Sequence, residues 1–294
     1  MDVPTRSEVW EVELGRRRVG TEFGAHIPQQ GRPCLIVSAD EFNEESEGLT
    51  VLHLTEYRPD KEDIISLWAV AVARRDVVPD TRTGGISFKS IIDCAQPWTI
   101  FKLPSGHPDN ELRWNRRLGR LKDELMIRVE AALQVLLGGA VRYDDDLTYQ
   151  EGDVIEANLP RMPLQAHEAR HRCLVVSSPG IDAIREQMRV YVEAVPGQRE
   201  PRSLSHCTVV PLVSTQYDKG YLSETLVDVY PFGQEIGSPT RELAICQEIY
   251  TIDWQSRVQG EPVGRVLDRG RDDVEKHDME DVREALRYYL RLPH

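Results

Sequence analysis

The sequence predicts a mainly β protein with some α-helix (α+β), built as two small β-barrels that are each closed by a C-terminal helix. Short runs of strand-forming residues alternate with turn signals at the spacing typical of small barrels. Apolar residues at helical spacing follow each set of strands. The order of these blocks in residues 1–140 recurs in residues 150–294, which predicts an internal repeat of two domains.

The first half contains six runs that favour strands. Residues 64–73 fit a strand or a short helix, and we favour the strand. The six runs are residues 8–14, 34–37, 49–55, 64–73, 90–94 and 98–101. The glycine-containing segment 16–31 and the acidic segment 40–47 between them are predicted as loops.

A helix is predicted to close the first half. Leu125, Val129, Leu133 and Leu136 recur at helical spacing, Asp123 is a suitable N-cap, and Gly138-Gly139 is a suitable stop. The polar segment 142–150 follows as a linker.

The second half repeats this order of elements, with insertions near residues 178–206 and 268–277. Its predicted strands are residues 152–159, 173–176, 207–214, 244–253 and 263–266. Its closing helix is predicted from Met279, Val282, Leu286, Tyr289 and Leu290 on one face. Asp278 is the predicted N-cap of that helix.

Composition excludes some classes of function. The 294 residues include 36 basic and 49 acidic ones, a net charge of −13, which argues against bulk attraction to nucleic acid. Local clusters at Arg16–Arg18 and Arg113–Arg120 could still form a basic groove. No apolar run of about 18 residues is present, and the first residues lack the apolar segment of a secretory signal. We therefore expect a cytoplasmic protein without a membrane partner.

The five cysteines give no sign of a metal site. None forms a C-x-x-C pair, and no histidine cluster stands near them at zinc spacing. Four lie in or beside apolar runs, which predicts buried, reduced thiols and no cofactor. The full set of five is Cys34, Cys94, Cys173, Cys207 and Cys246.

Taken in order, the motifs of residues 7–138 resemble the MazF/PemK (Kid) family of toxin endoribonucleases. The longest is GRPCLIVSAD at 31–40, and QPWTI at 96–100 and RLGRL at 117–121 follow it. Shorter matches lie at 8–12, 20–22, 42–43 and 54–55. The second half looks like a diverged second copy of the same pattern.

The resemblance implies an SH3-like barrel with a C-terminal helix. Family members work as two-fold dimers with single-stranded RNA across the interface, so this chain would be a pseudo-dimer in one molecule. The family cleaves RNA without metal, by attack of the 2′-hydroxyl on the adjacent phosphorus. An antitoxin protein is a further expected partner. The related CcdB toxins share the fold and poison gyrase, so a gyrase-directed toxin is a third, less favoured, reading.

The resemblance also implies a catalytic pair, Arg32 and Thr55. Arg32 matches the family's arginine at the scissile phosphate, and its planar guanidinium can bind two phosphate oxygens. Thr55 matches the family's phosphate-binding threonine. Further RNA-binding residues are predicted in the 16–30 loop, beside residue 96 and in the second half. They are Arg16, Arg17, Glu22, Gln96, Trp98, Thr99, Arg172 and Ser214.

Several positions depart from the family. Asp93 and Ala95 replace the arginine and aspartate that the Kid branch places there, so that branch's catalytic arrangement cannot operate. Trp98 replaces an arginine thought to meet RNA. An aromatic ring at this position could stack on a base, but packing is the favoured role. The corresponding residue of the second half is Tyr250.

The second half lacks the catalytic pair. His171 stands at the position of Arg32, with Arg172 one place on, and a slip of one residue along a strand turns a side chain to the opposite face. Val213 stands at the position of Thr55. His53 and His171 are general-acid hypotheses, and a structural role is favoured for both. The alternative function is therefore a catalytically decayed binding module for a protein or nucleic acid.

Overall fold

The computed structural model of the chain contains two large β-sheets, one two-stranded hairpin and three α-helices among the residues that it describes. None of these helices is both long and apolar enough to cross a membrane. The described residues are 3–13, 32–46, 48–57, 69–79, 84–101, 113–137, 151–157, 159, 171–177, 206–214, 223–229, 241–253, 257–258, 261–262, 264–268 and 272–292.

The first sheet has eight antiparallel strands in the order β4-β6-β3-β2-β1-β8-β5, and β7 pairs with β3 beside β6. The strands are β1 (Glu8–Glu13), β2 (Arg32–Ile36), β3 (Gly48–Glu56), β4 (Ala69–Val72), β5 (Val77–Val78), β6 (Ser90–Asp93), β7 (Trp98–Phe101) and β8 (Arg113–Leu121). The two edge strands of this order, β4 and β5, are joined by a single 3₁₀ turn at Arg74–Asp76. This short connection brings the edges together, so the sheet is a nearly closed barrel.

The second sheet has seven strands and the same pattern of neighbours. Its order is β12-β13-β11-β10-β9-β17, and β14 pairs with β11 as β7 pairs with β3. The strands are β9 (Val154–Ala157), β10 (His171–Ser177), β11 (His206–Ser214), β12 (Leu226–Val229), β13 (Glu242–Ile245), β14 (Tyr250–Asp253) and β17 (Gly264–Asp268). A separate hairpin pairs β15 (Arg257–Val258) with β16 (Glu261–Pro262).

The three helices are α1 (Asp40–Glu45), α2 (Asp123–Leu137) and α3 (Asp272–Leu290). The predicted helix over Leu125–Leu136 is confirmed, and it ends at Leu137, directly before the two glycines. The predicted start of the last helix is wrong. That helix begins at Asp272, so Asp278 lies inside it and is not its N-cap.

The helices α2 and α3 bury the same sequence of residue types. One methionine, one valine and one leucine are buried at matching places in each helix: Met126, Val129 and Leu133 in α2, and Met279, Val282 and Leu286 in α3. These side chains belong to one continuous apolar core, to which both sheets also contribute. Each helix therefore packs on this core through the apolar face that its helical periodicity predicts.

One predicted loop is a helix. Residues 40–45 form α1, and the side chains of Phe42 and Asn43 on its inner side are buried. The Phe42 ring packs edge-on against Tyr288 and Tyr289 at the end of α3, with ring centroids 5.3 Å apart in both pairs. Of the predicted strand 64–73, β4 occupies Ala69–Val72, and residues 58–68 lie outside the described part of the chain.

The outer faces of the two sheets meet in a second apolar core, which we call the junction. Trp98 of β7 and Tyr250 of β14 pack edge-to-face there, with ring centroids 5.3 Å apart. The backbone N–H of Thr99 donates to the carbonyl of Ile249 at 2.9 Å, and the Thr251 hydroxyl donates to the carbonyl of Pro97 at 3.0 Å. Like residues of the two sheets thus contact one another, as in an isologous interface.

Candidate active site

The register of the first sheet brings the two predicted catalytic residues together. Cys34 of β2 lies opposite His53 of β3, and the same register continued by two residues places Arg32 opposite Thr55. Opposed residues of an antiparallel pair project from the same face of the sheet. Arg32 is exposed and Thr55 is half-buried, so this row lies where the face opens to solvent.

The next row along the same face holds Cys34 and His53. The Cys34 Sγ lies 3.4 Å from His53 Nδ1, and both side chains are buried. Burial, and then the charge of Arg32, lower the pKa of His53 to about 4. Burial raises the pKa of the Cys34 thiol to about 12, against the smaller effect of Arg32. Both groups are neutral near pH 7, so the general-acid hypothesis for His53 receives no support.

Asp93 completes this row on the other side of His53. Leu54 of β3 pairs with Ile92 of β6, and the next position places Asp93 opposite His53. The Asp93 carboxylate accepts hydrogen bonds from the Ala95 backbone N–H and from Gln96 Nε2, each at 3.0 Å. Burial raises the pKa of this carboxyl. In the sequence, Asp93 is visible only as a departure from the Kid branch. In the fold, strand pairing places Asp93 within the candidate site.

The Arg32 guanidinium forms no ion pair or hydrogen bond within the described chain, whereas Arg116, Arg117 and Arg120 of the predicted basic cluster on β8 have partners. Arg116 contacts Glu11 at 2.7 Å, and Arg117 contacts Glu8 at 2.6 Å. Arg120 donates to the Thr5 hydroxyl and the Arg6 carbonyl. Two arginines of β8 are thus paired with carboxylates of β1, whereas Arg32 has no carboxylate partner among the described residues.

Trp98 and Thr99, both predicted to bind RNA, lie in the junction. Their exposed fractions are 7% and 2%. The Thr99 Oγ1 accepts a hydrogen bond from the Ile249 N–H at 2.8 Å, and the Trp98 ring packs on Tyr250. Stacking of Trp98 on a base is not available in this arrangement, and packing, the favoured role, accounts for its position. Gln96 is half-buried at the rim of the site.

The same location on the second sheet is apolar. Val213, Leu243 and Ile245 form a cluster with exposed fractions of 4%, 9% and 0%. By strand register they stand where the first sheet has Thr55, Ile91 and Asp93.

Neither His171 nor Arg172, the two candidate cations of the second sheet, is exposed on the face that matches the face of Arg32. His171, at the position of Arg32, is 3% exposed. Arg172 lies on the opposite face of β10 and pairs with Glu242 at 3.0 Å. No phosphate-binding arrangement like that of Arg32 and Thr55 exists among these residues.

Four predicted RNA-binding residues are not described by the structure at the level of side chains. Arg16, Arg17 and Glu22 lie outside the described ranges. Ser214 is the last residue of β11, and only its backbone is described. Within the described ranges, no group of three or more histidine, cysteine or acidic side chains is arranged to hold a metal ion.

Comparison with known proteins finds a family model that matches the first half of the chain. Residues 5–137 match the model of the PemK-like, MazF-like toxins of type II toxin-antitoxin systems. No curated protein matches the chain.

Several solved structures are similar at low identity. An endoribonuclease from a mycobacterial species is 19% identical, over 48% of this chain and 98% of its own, with a TM-score of 0.32. A mycobacterial endoribonuclease in complex with its cognate antitoxin is 22% identical, over 47% and 99%, with a TM-score of 0.30. A MazE–MazF structure from Deinococcus radiodurans is 13% identical, over 47% and 98%, with a TM-score of 0.29. The family model covers the first barrel together with its candidate site, so residues 5–137 are similar to the PemK-like, MazF-like toxins.

Proposed function

We propose that the protein is a toxin-type endoribonuclease that cleaves single-stranded RNA without a metal ion. The observation that carries the proposal is the row formed by Arg32 and Thr55, in which an unpaired guanidinium faces a hydroxyl at an open part of the sheet. The match of residues 5–137 to a toxin family model supports the same activity.

The proposed reaction is an internal transfer at phosphorus. The 2′-oxygen of the RNA forms a bond to the adjacent phosphorus and loses its proton, while the bond to the 5′-oxygen breaks and that oxygen gains a proton. The products are a cyclic phosphate and a 5′-hydroxyl end. Arg32 donates to two phosphate oxygens as negative charge builds up, and the Thr55 hydroxyl donates to the same group.

The chain is further proposed to be an intramolecular pseudo-dimer of two SH3-like barrels, with domains at 1–140 and 150–294. The two sheets share one pattern of strand neighbours, and matching residues meet at the junction. Only the first sheet keeps the catalytic pair, so one molecule carries one site. An antitoxin protein is the expected regulatory partner of such a toxin.

The test is cleavage of single-stranded RNA by the purified full-length protein in the presence of EDTA. Wild type should cleave, and Arg32→Ala should lose at least about 100-fold in rate, since a charge-assisted bidentate contact at the reacting phosphate is removed. Arg116→Ala is the matched control, because it removes the same charge from a residue already paired with Glu11. Equal rates for wild type and Arg32→Ala would refute the proposal.

A second candidate function is a binding module without catalysis. It is favoured by the pairing of Arg116 and Arg117 with carboxylates and by the apolar cluster at the matching place of the second sheet. Such a protein would bind a protein or nucleic acid partner, and the Arg32→Ala variant would be as inactive on RNA as wild type.

A further inference from the structure

The turn between β6 and β7 holds the side chain of Gln96 in one orientation. Asp93 Oδ1 accepts from the Ala95 backbone N–H, and Oδ2 accepts from Gln96 Nε2, each at 3.0 Å. The Gln96 backbone N–H also donates to the Asp93 carbonyl at 3.4 Å, which closes the turn. An ionised carboxylate only accepts hydrogen bonds, so the amide nitrogen of Gln96, and not its oxygen, must face Asp93.

The Gln96 Oε1 is thereby turned away from Asp93. It makes no hydrogen bond with any described residue, and it is not among the buried polar atoms without a partner. Gln96 Oε1 is therefore an accessible acceptor, and the hydrogen bond from Gln96 Nε2 to Asp93 fixes its orientation.

Asp93, which holds this acceptor, lies one row from the proposed catalytic row. Asp93 occupies the row of Cys34 and His53, which is two residues, or about 7 Å, along β3 from the row of Arg32 and Thr55. A nucleotide next to a phosphate on Arg32 can span this distance. The Gln96 amide is also close to the junction in sequence, since Trp98 follows two residues after Gln96.

The second sheet has no such arrangement. Ile245 stands at the position of Asp93, and Glu248 stands at that of Gln96. The Glu248 carboxylate is buried and accepts from the Tyr250 hydroxyl at 2.9 Å. The matching turn of the second sheet does hold an amide, Gln247, but that side chain is buried and its oxygen accepts from the Thr225 hydroxyl.

We propose that Gln96 selects the RNA base at the site and that Asp93 is the positioning residue that makes it present an acceptor. A base with an amino group at the contacted edge, such as cytosine, is then preferred to one with a carbonyl oxygen there, such as uracil. The inference rests on the proposed function only in taking RNA as the ligand.

Asp93→Asn tests this proposal directly, because the hydrogen bonds of the turn determine which way the new amide group must point. The Ala95 N–H still requires an acceptor, so the new amide nitrogen must face Gln96. Gln96 must then turn its oxygen toward residue 93 and present Nε2, a donor, to the RNA. The variant should reverse the preference from cytosine toward uracil, whereas a role for Asp93 in folding alone would leave the preference unchanged.

The measurement is binding of oligocytidine and oligouridine of equal length, followed by fluorescence anisotropy, which needs no cleavage. Wild type should favour oligocytidine by about three- to tenfold, the range of one hydrogen bond. Asp93→Asn should lower that ratio at least about threefold, and Gln96→Met should bring it close to one. Gln96→Met keeps Asp93 and so serves if Asp93→Asn does not fold.

The outcomes separate the two proposals. Arg32→Ala should lose cleavage and keep the base preference, since it leaves the turn intact. A cytosine preference that responds to Asp93→Asn in a protein that does not cleave RNA would overturn the proposed function and support the base selection. Cleavage with a base preference unchanged by Asp93→Asn and Gln96→Met would overturn the base selection alone.

Discussion

Glu130 of α2 and Arg283 of α3 hold the same position in the buried pattern of their helices and carry opposite charges. Glu130 pairs with Arg6 at 2.9 Å, and Arg283 pairs with Glu151 at 2.7 Å. Arg6 and Glu151 each precede a residue of positive φ, Ser7 at 68° or Gly152 at 92°. Each helix is thus tied to the start of the first strand of its own sheet, by ion pairs of reversed polarity.

Glu130→Arg should destabilise the protein by about 2–4 kcal/mol, because it places a second cation against Arg6, whose side chain is only 10% exposed. Denaturation in urea would measure the loss. Arg6→Glu combined with Glu130→Arg copies the polarity of the second pair and should restore most of the stability. Arg128→Glu, on an exposed position of the same helix, is the control, and a loss as large as that of Glu130→Arg would contradict the role of the pair.

Thr55→Val should reduce RNA cleavage about 10- to 100-fold, because it removes one hydroxyl donor to a charged phosphate and keeps the shape of the side chain. Thr55→Ser keeps the hydroxyl and should stay within a few-fold of wild type. Single-turnover cleavage rates measure both. Valine is the residue that the second sheet has at this position, Val213, so a fully active Thr55→Val would remove one reason to assign the site to the first sheet alone.

Trp98→Ala should cost about 3–5 kcal/mol of folding free energy, because it empties the place of a buried ring that packs on Tyr250 in the junction. Trp98→Phe should cost less, since an aromatic contact remains. Thermal or urea unfolding tests the pair. A Trp98→Ala protein with wild-type stability and weakened RNA binding would instead assign the ring to the substrate.

Stability should fall as the pH is lowered from about 6.5 toward 4, partly because of His53. Its pKa is about 4 in the folded protein, against 6.5 for the free side chain, so the unfolded chain binds a proton that the folded one excludes. Between pH 7.5 and 5 this group contributes about 2 kcal/mol of lost stability. His53→Gln should flatten the pH profile by that amount. Carboxyls with raised pKa contribute with the opposite sign, but they are present in both proteins and cancel in the difference between the two profiles. Parallel profiles of wild type and His53→Gln would show that folding does not lower the pKa of His53.

Sequence reasoning locates most strands and α2 because their signals are local. Val12, Leu35 and Leu133 mark buried faces through their own neighbours. The early start of α3 is not predicted, because residues 272–278 are mostly charged and show no apolar stripe.

The site depends on pairings that the sequence does not display. Asp93 joins His53 only through the register of β6 on β3, and the burial of Trp98 depends on Tyr250, which lies in the other sheet. The family motif identifies Arg32 and Thr55, but it cannot show that the arginines of β8 are paired with Glu8 and Glu11.

The reversed ion pairs bear on how a chain with two look-alike helices sorts them during folding. Both helices bury methionine, valine and leucine in the same places, so apolar packing alone distinguishes them poorly. If α2 docked on the second sheet, Glu130 would meet Glu151, and α3 on the first sheet would bring Arg283 to Arg6. Both exchanged arrangements set like charges against each other at a half-buried position, and only the native assignment pairs every one of the four groups.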